Sequence, residues 1–174
     1  EALNRGILSV LKSQLAVINS HGNIVFTNES WQNFNKKRIK TSLIRGLVGE
    51  NYLDVLFRSS TRKNANALKV LEGIYKILDK KQNFFQLEYH IDIAGSEKWF
   101  LLSISAYDEA DLKLVIRQVD ITDRVLFSRK IARSESRYKE ILQRSNELIF
   151  SFDLEGKFIF LNNYFKKAFL FNIV

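Results

Sequence analysis

The sequence predicts an α+β domain, then a long helix, then the opening of a second such domain. Three observations carry this. Apolar spacing switches from helical to alternating and back along the chain, three extended runs follow one another between residues 84 and 120, and the first strand–turn–strand pattern returns 134 residues downstream.

Leu3, Ile7, Val10 and Leu11 predict a helix over residues 2–12. Leu15-Ala16-Val17-Ile18-Asn19 then reads as a short buried strand, Ser20-His21-Gly22-Asn23 as a turn, and Ile24-Val25-Phe26-Thr27-Asn28 as the second strand of a hairpin. A short helix starting at Asn28 or Glu29 carries Trp31 and Phe34, a basic loop follows, and Gly49 to Leu56 reads as another short helical turn. Residues 64–80 form the longest internal helix, with Ala67, Leu68, Leu71, Ile74, Tyr75 and Leu78 expected on one side. Strands Phe84–Ile93 and Lys98–Tyr107 flank the turn Ile93-Ala94-Gly95-Ser96. In the second of these, Phe100, Leu102, Ile104 and Ala106 alternate with Trp99, Leu101, Ser103 and Ser105, and the two apolar-biased faces predict cover on both sides. After the acidic turn Asp108-Glu109-Ala110-Asp111, a third strand runs from Leu112 to Asp120.

Residues 122–143 return to helical spacing. Phe127, Ile131, Ser134, Tyr138 and Ile141 are spaced 4, 3, 4, 3, a heptad seam with one polar position. Such a helix either packs on its own domain or pairs with a second copy in a parallel coil, and the spacing favours pairing.

Composition removes several chemistries. The 174 residues include no Cys, Met or Pro and only two His. Without Cys there is no disulfide, thiolate nucleophile, cysteine-ligated metal or cysteinyl adduct, and His21 and His90 cannot supply a site that needs three imidazoles. No glycine-rich phosphate loop, nucleophile–His pairing or His/carboxylate metal cluster is evident, so the chain is expected to be non-catalytic and metal-free. The missing initiator Met leads to the expectation of a piece of a longer protein.

The net charge of +8 is local. Residues 1–50 and 122–144 each carry seven basic and three acidic side chains, whereas 51–121 carry ten of each and 145–174 three of each. The sources are a loop (Lys36, Lys37, Arg38, Lys40, Arg45) and the long helix (Arg124, Arg129, Lys130, Arg133, Arg137, Lys139, Arg144). A basic nucleic-acid-binding regulatory domain is the alternative function. On the helix, though, the cations surround the axis among Asp123, Glu135 and Glu140 rather than forming a stripe, which argues against a nucleic-acid partner. No apolar run is long enough to span a membrane, so no membrane contact is expected.

The repeat keeps register residue by residue. Ile18 to Asn28 lies over Phe152 to Asn162, matching Gly22 to Gly156, Phe26 to Phe160 and Asn28 to Asn162, while Trp31 falls on Phe165 and Leu8 on Leu142. About thirty residues cannot bury a core alone, so the second copy is expected to lean on something else.

These residues resemble the PAS sensory domain of bacterial signalling proteins. The resemblance rests on the hairpin ending in Asn28, the segment Gly49-Glu50-Asn51-Tyr52-Leu53-Asp54-Val55, the strand Phe85-Gln86-Leu87-Glu88-Tyr89, the start Lys98-Trp99-Phe100, and Asp120-Ile121-Thr122-Asp123-Arg124. It implies a five-stranded antiparallel sheet in the order 2-1-5-4-3 with helices on one face, flanked by signalling helices. The domains are then 1–12 (N-terminal helix), 13–121 (PAS domain), 122–144 (linker helix) and 145–174 (start of a second, truncated PAS domain). Asp120, Ile121, Thr122 and Arg124 form the expected relay junction, where Thr122 or Asp123 caps the helix and Asp120 pairs with Arg124. Phe127, Ile131, Tyr138 and Ile141 form the expected dimer seam.

The same resemblance places a ligand between sheet and helices, with Phe26, Asn28, Tyr52, Tyr75, Tyr89, Ser103, Ser105 and Arg117 as pocket residues. Arg117 either snorkels from the outer sheet face or meets a carboxylate inside. The absent Cys excludes a flavin adduct, the lack of His over 60–82 argues against haem, and a non-covalent organic ligand remains. Trp99 and Leu101 form an apolar outer sheet face expected to be covered by helix 2–12 of the same or a second chain. The expected function is a cytoplasmic, homodimeric sensor module relaying to a downstream output domain in the same chain, a histidine kinase or a cyclic-dinucleotide synthase.

Overall fold

A computed structural model of the chain describes residues 11–37, 39, 42–60, 64–108 and 113–169. Residues 2–10 of the helix expected over 2–12 lie outside them, while Leu11 and Lys12 are described and not helical; Arg38 and Lys40 of the basic loop and residues 109–112 also lie outside. The chain divides into two compact units, residues 1–123 and 124–174.

In the first unit, β1 (Gln14–Ile18) and β2 (Ile24–Thr27) form the hairpin, followed by α1 (Glu29–Lys36), α2 (Tyr52–Ser60) and α3 (Ala65–Leu78). Then come β3 (Phe84–Ile93), β4 (Ser96–Asp108) and β5 (Lys113–Asp120). The five strands make one antiparallel sheet in the order β2-β1-β5-β4-β3. The β3–β4 turn suits its sequence. Ala94 and Gly95 both take positive φ, 54° and 80°, and the Asp92 carboxylate accepts from the Gly95 N–H at 2.7 Å.

Strand parity decides what the helices cover. Tyr89 and Ile91 of β3, Phe100, Leu102 and Ile104 of β4, and Leu114 and Ile116 of β5 are buried with Ala16 and Ile18 of β1. They join Trp31, Phe34, Tyr52, Leu56, Val70 and Ile74 from the helices in one core. Each such Val, Leu, Ile or Phe side chain, fully buried, contributes about 1.5–3 kcal/mol of transfer free energy. On β4 the expected inward set stops at Ile104, since Ala106 is exposed beside an irregularity in the ladder at 106–108.

α3 is rotated from the face expected of it. Ala67, Val70, Leu71, Gly73, Ile74 and Ile77 are buried, while Leu68 and Tyr75 are about half exposed. The cause is Gly73: a Cβ there would sit 2.3 Å from the Phe85 ring, so the bare backbone admits β3's aromatic and centres the contact on residues 70, 73, 74 and 77. Gly73→Ala is therefore expected to destabilise the first unit by about 1–2 kcal/mol, because overpacking outweighs the better helix propensity of alanine. A urea midpoint shifted upward would contradict it.

α4 (Thr122–Arg144) follows β5 and spans the boundary between the units. The second unit then has a two-stranded sheet, β6 (Phe150–Phe152) with β7 (Phe158–Leu161), and α5 (Asn163–Phe169). None of the described helices is long and apolar enough to cross a membrane.

Candidate functional site

Asn28 ends the first hairpin, and its side chain ties three elements together. Its Oδ1 accepts from the Leu15 N–H of β1 and the Trp31 N–H of α1, both at 3.0 Å, so it caps the helix and closes the strand at once. Its Nδ2 donates to the Ser13 carbonyl at 2.9 Å and the Leu11 carbonyl at 3.4 Å. Asn28 is thus a buried structural hub rather than a group facing a ligand.

The interior does hold polar groups. The Tyr89 hydroxyl is hydrogen-bonded to Gln118 Oε1, and the Tyr52 hydroxyl donates to the Leu43 carbonyl at 2.9 Å. Gln118, which no sequence argument selected, is fully buried, and its Nε2 donates to Gln14 Oε1 at 3.5 Å. Burial raises the pKa of both phenols; Tyr89 adds to the rise at Tyr52, and the Leu43 backbone partly offsets the rise at Tyr89. Both stay neutral donors across the physiological range.

The other expected pocket residues do not converge there. Phe26 is half-buried and Tyr75 is 52% exposed on the rotated face of α3. Ser103 and Ser105 alternate with the inward residues of β4, and Arg117 with those of β5, which puts all three on the outer sheet face. There Arg117 is exposed and its Nε donates to Ser13 Oγ at 3.4 Å, the snorkelling arrangement. Of the expected set, the structure brings only Tyr52 and Tyr89 together with Gln118. His90 is on the outer face too, its ring 5.0 Å from Trp99.

At the end of β5, three bonds hold the root of α4 to the sheet. The Ile121 N–H donates to the Trp99 carbonyl at 2.8 Å, the Trp99 N–H donates to Thr122 Oγ1 at 3.0 Å, and the Thr122 N–H donates to Asp120 Oδ1 at 2.9 Å. The acceptor for the helix's first N–H is therefore Asp120, where Thr122 or Asp123 was expected. The Thr122 hydroxyl instead reaches back to β4. Ile121 and Thr122 are buried.

Beyond the junction, Phe127, Ile131, Tyr138 and Ile141 of α4 are 59–65% exposed.

In the second unit the hub recurs. Asn162 Oδ1 accepts from the Ile149 N–H at 3.2 Å and the Phe165 N–H at 3.0 Å, and its Nδ2 donates to the Glu147 carbonyl at 2.8 Å and the Ser145 carbonyl at 3.4 Å. Each partner lies 134 residues after its Asn28 counterpart. The same offset relates the strand register and its irregularity, Val17/Ile18 to Ser151/Phe152, and the turn glycines, Gly22 at φ 84° and Gly156 at φ 82°. What differs is cover: Ala16 and Ile18 are fully buried beside β5, whereas their counterparts Phe150 and Phe152 are 46% and 59% exposed.

No family model matches the sequence. An uncharacterized 104.1 kDa protein in the hypE 3′ region of Rhodobacter capsulatus is 28% identical over 121 residues, 69% of this chain, and the chain spans 13% of that protein's length. The structure is similar to the PAS domain of BvgS from Bordetella pertussis, with 14% identity over 78% of this chain and 96% of that one at a TM-score of 0.49. It is also similar to an RNA-binding light-oxygen-voltage receptor, with 11% identity over 80% of this chain and 37% of that one at a TM-score of 0.51. The decisive feature is the sheet order 2-1-5-4-3 with the helices on one face. The first unit has the PAS fold. Its interior and edges carry polar constructions at the Asn28 hub, the Tyr89–Gln118 pair and the Asp120–Thr122 junction.

Proposed function

We propose that the PAS unit is a non-catalytic sensory and dimerisation module, which passes changes in its core through the Asp120–Thr122 junction into α4. The observation that carries this reading is the bond from the Trp99 N–H to the Thr122 hydroxyl. A simple cap would involve only the helix and its own preceding residues. Here the side chain of the first helical residue is fastened to the neighbouring strand, so a shift of β4 against β5 moves the helix root.

In this reading the exposed seam of α4 pairs with that of a second copy, and the output domain, a histidine kinase in the first instance, lies downstream in the same chain. Residues 145–169 are the opening hairpin and helix of a second PAS domain. The 134-residue match of the two asparagine hubs supports that assignment, and the exposed Phe150 and Phe152 stand at the positions of Ala16 and Ile18, which the helices of the first unit cover.

Thr122→Val tests the relay. It keeps the shape of the side chain and removes the acceptor, a loss of about 1 kcal/mol at the junction. Amide hydrogen exchange over residues 122–127 is expected to quicken about fivefold with the global unfolding transition shifted only slightly. Unchanged exchange there would refute the relay through this bond.

A further inference from the structure

A hollow of about 480 Å3 opens on the first unit between α1, the loop at residues 45–50 and α2. It is lined by Asn35, Arg45, Gly46, Glu50, Arg58 and Ser59, and its volume lies in the range of small-molecule sites, about 300–1,000 Å3. It is separate from the interior Tyr89–Gln118 pair, and nothing in the signalling reading requires it.

The lining is cationic and held in place. Glu50, its one carboxylate, accepts from the Leu47 N–H at 2.7 Å and so serves the turn of its own loop. Arg45, half-buried, donates from one terminal nitrogen to the Ile39 carbonyl at 3.0 Å, one of the five N–H groups that a guanidinium carries. Arg58 is oriented by a bond from Nε to the Asp54 carbonyl at 3.3 Å. A second hollow shares Asn35 and Leu47 with the first and adds Lys36, which gives three cations to one carboxylate along the groove.

We propose that this cleft binds a small organic anion, with its phosphate or carboxylate group held between Arg45 and Arg58. A guanidinium from the loop and one from α2 both line the cleft and suit the paired oxygens of either group, a geometry that lysines do not provide. Asn35 and Ser59 supply further polar contacts, and Val55 and Leu47 accept a compact apolar body. Gly46 also lines the cleft, and its carbonyl accepts from the buried Trp31 Nε1 at 3.0 Å, so occupancy is expected to register in indole fluorescence.

The test is titration of the whole chain with sodium pyrophosphate and, separately, sodium citrate at constant ionic strength, followed by calorimetry and tryptophan fluorescence. Saturable one-to-one binding of either probe, weakened about tenfold or more by Arg58→Gln and by Arg45→Gln, is the expected result. Pyrophosphate alone would identify a phosphorylated ligand and citrate alone a carboxylic acid, and each supports the site. Failure of both probes to saturate overturns it. So does equal affinity in Arg58→Gln, an exposed position whose replacement spares the fold even if Arg45→Gln does not.

Discussion

Asn28→Ala is expected to lower the stability of the first unit by about 3–4 kcal/mol, a large loss for one polar side chain. The change removes little apolar surface. It strands the Leu15 and Trp31 N–H groups, both in buried bonds, and unfastens the carbonyls of Leu11 and Ser13. An unsatisfied buried donor costs about 1–3 kcal/mol, and loss of a helix N-cap about 1. Asn28→Asp keeps the acceptor but places a charge in a buried site, so it is expected to fall between wild type and alanine. Urea unfolding followed at Trp31 measures both. Asn162→Ala provides the contrast: it should release the β6–β7 hairpin to rapid hydrogen exchange while the main transition of the first unit stays in place.

Ile131→Asp together with Ile141→Asp is expected to weaken self-association at least about 100-fold, or about 2.7 kcal/mol. The two side chains sit on the α4 seam and are about 60% exposed in the single chain, so a charge there has little effect on the monomer. In a paired coil it would be buried against its own copy. Ser134→Leu removes the one polar seam position and should tighten the association. Sedimentation equilibrium separates the outcomes. A wild-type chain that stays monomeric at high concentration, or a double variant that dimerises as wild type does, would rule out this seam.

Much of the fold was legible because strands and helices leave different periods in the sequence. β4 was readable from alternation, β3 and β5 as extended runs beside turns, and the hairpin from apolar runs bracketing Ser20-His21-Gly22-Asn23. The rotation of α3 was not, because the position that sets it is a glycine whose role exists only when Phe85 arrives from β3. Parity separates Arg117 from Leu114 and Ile116, yet the sequence left it open between the outer face and a carboxylate inside, and the folded sheet puts it outside. The same parity placed Gln118 inside, a signal overlooked because glutamine is rarely a core residue. α2 extends through Arg58 and Ser59, beyond the short apolar pattern that announced it. At the junction, the Thr122–Trp99 bond joins positions 23 apart and needs the folded sheet. The repeat was readable at Asn28 and Asn162 because one side chain with both donor and acceptor does the same work in both places.

The most direct measurement of the relay is a double-mutant cycle read by hydrogen exchange in α4. Gln118→Leu breaks the interior bond to Tyr89 two residues before Asp120, and Thr122→Val breaks the tie to β4. If the core signals through the junction, Gln118→Leu changes protection over residues 123–130 in the wild-type background and has no further effect once Thr122 is valine. Equal changes in the two backgrounds would show that α4 does not receive the state of the core through this bond.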